Sequence, residues 1–82
     1  MVITKTIYIK LLDEGTDAWR PTLGEMIVEN IFQVLPTNDY DPELEEWEFI
    51  PGTIVKCKLQ KKTDRGKLEE VLVAVERLSN KI

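Results

Sequence analysis

The sequence predicts an all-β domain, a small and strongly bent antiparallel barrel of five or six strands with at most one short helical turn. Three observations carry this reading. Apolar residues recur with a period of two in the first and fifth extended segments, as strands with one buried face require. Turn-forming residues interrupt the chain at short intervals, and no stretch shows the 3.6-residue period of a long helix. Eighty-two residues support a single core, so the domain spans 1–82. Closure also removes the exposed edges that a sheet of this size would otherwise present.

Residues 2–12 form the first strand, with Ile3, Ile7, Ile9 and Leu11 on one face and Thr4, Thr6, Tyr8 and Lys10 on the other. Asp13 to Asp17 is a polar turn in which Gly15 is free to adopt positive φ. The second strand runs from Trp19 to Ile27. Pro21 has no amide proton for a ladder, which places this strand at an edge or puts a bulge near Pro21 or Gly24. Glu29-Asn30 is the next turn, because Asn tolerates the left-handed region, and Ile31 to Leu35 is the return strand, ended by Pro36. The acidic loop from Thr37 to Glu46 holds a helix-start pattern, Asp41-Pro42-Glu43, with room for one turn.

Trp47-Glu48-Phe49 is short and extended, the candidate sixth strand, and Pro51-Gly52 turns the chain. From Thr53 to Lys62, Val55, Cys57 and Leu59 oppose Lys56, Lys58, Gln60 and Lys62. Thr63 to Gly66 makes a tight hairpin into a last strand from Leu68 to Glu76. There Val71, Val73 and Val75 alternate with Leu72 and Ala74, so both faces are apolar. The tail from Arg77 to Ile82 reads as frayed or as a short helical turn. The expected core is Ile3, Ile7, Ile9, Leu11, Ile27, Phe32, Val34, Val55, Cys57, Leu59 and Leu72.

Composition narrows the function classes. An apolar share of 43% with 32% charged residues is that of a globular chain rather than a disordered one. No apolar run reaches the roughly 18–20 residues of a membrane span, and Met1 to Lys5 lacks the charged and apolar regions of an export signal. A lone cysteine forbids an internal disulfide, so the cytoplasm is the expected compartment. The chain has no histidine, the commonest general base and metal ligand, and its four glycines are scattered rather than grouped in a phosphate loop. Cys57 sits in a strand pattern as a buried structural thiol would. The expectation is a non-enzymatic protein without a cofactor.

Charge is segregated. Residues 13–48 carry eleven acids and one base, Arg20, for a net of −10, whereas residues 49–82 carry a net of +4. Such patches orient a partner or a second copy of the chain.

Two blocks carry a resemblance: Leu11-Leu12-Asp13-Glu14-Gly15-Thr16-Asp17-Ala18-Trp19-Arg20-Pro21, and Tyr40-Asp41-Pro42-Glu43 leading into Trp47-Glu48-Phe49-Ile50-Pro51-Gly52. Together with the hairpin from Val55 to Glu76 they resemble a group of short bacterial proteins with an SH3-like barrel and no assigned activity. The resemblance spans most of the chain and implies a fold and a bacterial origin, not a chemistry.

The candidate binding site is aromatic and acidic. If Trp19, Tyr40 and Trp47 converge, they form a shallow groove rimmed by Asp13, Glu14, Asp17, Glu45 and Glu46. SH3 domains take proline-rich basic peptides on such surfaces, with aromatics for the polyproline helix and acids for an Arg or Lys. The competing and commoner role is structural, since a small barrel needs large side chains to plug its ends. Arg20 belongs to the candidate binding set if its guanidinium is left free for a ligand, but it is expected rather to brace the loop through Asp13, Glu14 or Asp17. The alternating carboxylates Asp39, Asp41, Glu43 and Glu45 lack the glycine and the distal bidentate Glu of a calcium loop, so no metal is assigned.

Lys56, Lys58 and Lys62, with Lys61, Arg65 and Lys67 near the tip, offer an alternative nucleic-acid surface on the hairpin 56–67. It is disfavoured by an isoelectric point near 4.8 and by the lack of an aromatic among the lysines. The favoured partner is a protein or a second copy of the chain. Val71, Val73 and Val75 beside the lysines leave monomer and weak homodimer closely balanced.

Overall fold

The computed structural model of the protein describes residues 2–12, 18–38, 40–64 and 66–79. Five strands follow one another: β1 Thr4–Lys10, β2 Trp19–Val28, β3 Ile31–Val34, β4 Ile54–Asp64 and β5 Lys67–Ser79. They close into a barrel in chain order. Four of the five seams are antiparallel and the closing seam, β1 to β5, is parallel. This last point modifies the antiparallel expectation. An up-and-down chain with an odd number of strands must begin and end in the same direction, so its closure is parallel. The seam is short, with Ile7 opposite Leu72 and Tyr8 opposite Val73.

The turns use the residues that permit them. Asn30 has φ 68° between β2 and β3, and Gly52 has φ 97° in the turn closed by a hydrogen bond from Thr53 N to Ile50 O. Gly66, at φ 81°, makes the β4–β5 hairpin, which Asp64 and Lys67 close. Pro21 pairs with Tyr8 in the half of β2 that lies beyond its pairing with β3, where one strand edge needs no donor. The bulge of β2 is at Ile27, because Met26 faces Phe32 and Val28 faces Ile31. Gly24 remains in register. The expected sixth strand reduces to one bridge, Leu11 to Trp47, and β5 continues through Ser79 where a frayed tail was expected.

The core holds Ile7, Ile9, Leu11, Phe32, Val34, Val55 and Cys57 as predicted, with Leu72 packed against it. Three expected core residues are exposed: Ile3 at 44%, Ile27 at 44% and Leu59 at 61%. Ile27 is the extra residue of the bulge, so the alternation that would bury it is broken. Ile3 precedes β1 at an open end of the barrel. Leu59 lies beyond Lys56, the last β4 residue paired with β3. Beyond Leu59 and its partner Leu72, the last β5 position paired with β1, the two strands continue as a two-stranded arm. Trp47, Phe49, Val73 and Ala74 are also buried. The first two enter because the loop is stitched to the end of β1, by Leu12 N to Glu46 O (2.8 Å) and Glu48 N to Lys10 O (2.9 Å).

Val73 faces outward beside Tyr8, yet it is fully buried. The arm explains this. Its outer face, with Lys62, Glu69 and Val71, lies against Tyr8 and Trp19 on the outer wall of β1 and β2. Hence the valine stripe, which the sequence left balanced between exposure and cover, is largely covered by the chain itself, with only Val75 exposed, at the β5 bulge.

Candidate interaction surfaces

Residues 41–45 form a single turn. The backbone carbonyl of Asp41 accepts from Leu44 N and Glu45 N, both at 3.0 Å, while its side-chain Oδ1 accepts from Glu43 N at 2.9 Å. Asp41 thus caps the turn as its place before Pro42 suggested. The far end is anchored by Glu45. Its carboxylate accepts two hydrogen bonds from the Arg20 guanidinium, one of them Nε to Oε1 at 3.1 Å, and a third from Trp47 Nε1 at 3.2 Å. These donors hold the Glu45 carboxyl below the usual carboxylate range, Arg20 contributing most and Trp47 next.

Trp47 lies in the core at 3% exposure, and Tyr40 packs against it edge-on, with ring centroids 5.0 Å apart. The indole thus ties the loop to the barrel in two ways, through its ring and through its N–H. Arg20 sits on β2 opposite Ile9 and reaches Glu45, an acid 25 residues away. Asp13, Glu14 and Asp17 lie outside the described residues, as does Asp39. Among the described residues no group of three acids or cysteines is placed to hold a metal.

This clamp presents Leu44 to solvent. At 80% exposure it is the most exposed large apolar side chain described, and Asp41, Glu43, Glu46 and Glu48 around it are exposed as well. A shallow recess of about 440 Å³ between Arg20, Pro21, Asp41, Leu44 and Glu45 adjoins it. The turn was legible in the sequence. That Leu44 would point outward was signalled only by its place between acids.

Trp19 is in different surroundings. It is half-buried on the outer wall opposite Lys10, with Lys62 Nζ 4.5 Å from its ring centroid and 6.0 Å from that of Tyr8. The three aromatics that a single groove would need are therefore divided: Tyr40 and Trp47 are together, while Trp19 lies beneath the arm. The chain's one thiol, Cys57, is buried, and desolvation pushes its pKa up to about 11. Comparison with family models, curated proteins and solved structures finds no match to this chain.

Proposed function

We propose that this chain is a non-enzymatic interaction module that recognises a protein partner through its acidic 41–48 loop, with Leu44 as the apolar contact. The exposed Leu44 on a clamped turn carries the reading. An apolar side chain held in water has no stabilising role in the monomer, and a loop already fixed by Arg20, Glu45 and Trp47 loses little entropy on binding. The complementary surface is basic with an apolar notch, since Asp41 and Glu43 flank the leucine. A sequence without histidine and a thiol held protonated by burial support a binding role over catalysis. The resemblance to bacterial SH3-like barrels adds a binding scaffold by fold analogy.

A photo-crosslinking residue at position 44, in the cells that make the protein, tests this. The expected result is a discrete adduct with one protein, lost when Glu43→Lys is added. The same adducts from a probe at Lys56, or adducts indifferent to Glu43→Lys, overturn it.

One observation favours a second reading. Tyr8 and Trp19 meet Lys62, so an aromatic that β4 itself lacks accompanies the lysines of the arm, as single-stranded nucleic-acid sites require. Titration with single-stranded oligonucleotides at low and moderate salt, followed by tryptophan fluorescence, decides it. Absence of binding at low salt eliminates this alternative.

A further inference from the structure

The two faces of the arm differ. One lies against Tyr8 and Trp19; the other meets the barrel mouth at its base, where Leu59 and Leu72 share a recess with Met26 and Phe32. The second face continues the barrel interior in three cross-strand rows: Leu59 opposite Leu72, Lys61 opposite Glu70, and Thr63 opposite Leu68. Leu59 is 61% and Leu68 65% exposed. The pairing of β3 with β4 ends at Lys56 and that of β1 with β5 begins at Leu72, which itself packs against the core, so the rows beyond it, Lys61–Glu70 and Thr63–Leu68, are the ones no third strand flanks among the described residues. Two-stranded ribbons are marginal alone, and their apolar face seeks a cover.

We propose that this face binds a second copy of the chain, forming a two-fold dimer through the arms. The argument is charge complementarity. A two-fold interface uses one patch twice, so the patch must complement itself. Here Leu59 can meet the partner's partly buried Leu72 and Leu68 the methyl group of the partner's Thr63, and the central row holds one charge of each sign. Two axes lying in the face can be compared. An axis running across the strands sets Lys61 on the partner's Lys61 and Glu70 on the partner's Glu70. An axis running along the strands sets Lys61 on the partner's Glu70 twice, with Leu59 on the partner's Leu72 and Thr63 on the partner's Leu68. Charge selects the second, and aligned packing of the two ribbons within about 30° is the ordinary geometry of stacked sheets.

The proposal is independent of the Leu44 reading, since it uses another face. It also replaces the valine stripe, largely covered within the monomer, as the seat of self-association. Three residues per strand make a small interface, at or below the low end of specific complexes near 1,200 Å², so a dissociation constant on the order of 10–100 µM is expected.

Sedimentation of the full chain and of two charge-reversed variants, Lys61→Glu and Glu70→Lys, tests it. The parent is expected to dimerise at about 100 µM, a concentration in that range. Each variant alone faces like charges across the axis and is expected to sediment as one chain. Mixed in equal amounts, the two should dimerise again, because the wholly acidic central row of the first variant then meets the wholly basic row of the second. The like-charge row inside each variant's own hairpin is not repaired by mixing, so recovery isolates the contact between chains. A parent that stays monomeric leaves the face to a different partner and overturns the proposal. So do variants that dimerise alone, or a mixture that does not recover while circular dichroism shows both chains folded.

Discussion

Gly24→Ala probes how tightly the barrel closes. Gly24 sits between Lys5 of β1 and Val34 of β3, facing inward, and it is not among the glycines with positive φ, so alanine meets no backbone penalty there. The obstacle is space. A methyl group at Gly24 would lie 2.8 Å from Ile7 Cδ1 and 3.2 Å from Phe32 Cβ. Both neighbours are at or below 1% exposure, so neither can withdraw into a void without disturbing the core. Overpacking of this kind costs about 1–3 kcal/mol, and the loss of glycine's unfolded-state freedom offsets roughly 0.4–1 of it. The net expectation is about 1–2 kcal/mol, a fall in Tm of roughly 5–15 °C for a domain of this size. The closer contact is with the one methyl that Ile7→Val deletes. That substitution alone should cost about 0.5–1.5 kcal/mol, but close to nothing in the Gly24→Ala background. Thermal and urea unfolding of the four proteins in the cycle measures this. Unchanged stability in Gly24→Ala, or an Ile7→Val cost equal in both backgrounds, refutes the steric account.

Three further outcomes follow from the site. Glu45 has a folded pKa below its unfolded value of about 4.3, so its contribution is complete above that pH and disappears as pH falls through the lower folded value. In Glu45→Gln the acid-side loss of stability should shrink, and an unfolding profile from pH 2 to 5 identical to the parent's would contradict the clamp. Cys57, raised to about 11, contributes stability that is whole below its unfolded pKa near 8.5 and is lost as pH climbs through about 11. At pH 7.5 a thiol reagent should modify it only at the rate of opening, so rapid modification of native protein would disprove its burial. Finally, with fluorotryptophan in both positions, Lys62→Ala should shift the ¹⁹F resonance of Trp19 and leave that of Trp47 in place. A shift of both, or of neither, would place the arm elsewhere.

Sequence alone determined the strands and most of the core, because the rule that buries Ile7, Ile9, Val55 and Cys57 is local. Alternate side chains of a strand share a face whatever the strand pairs with. Asn30, Gly52 and Gly66 likewise announced their turns through the conformations they permit. The Asp41 cap was readable for the same reason, since every group it uses lies within four residues. What only the tertiary structure decided involves long reach. Glu45 lies 25 residues from Arg20, and their meeting depends on how the 37–48 loop crosses the end of β1. Period two counted Leu59 as core and could not reveal that β4 outruns β3, which exposes the same face a few residues later. Nor could it show that the arm would fold against Trp19, covering Val73 and bringing Lys62 to an aromatic 43 positions earlier in the chain. Alternation fixes which side of a strand a residue occupies. The lengths and crossings of the paired strands fix what, if anything, covers that side.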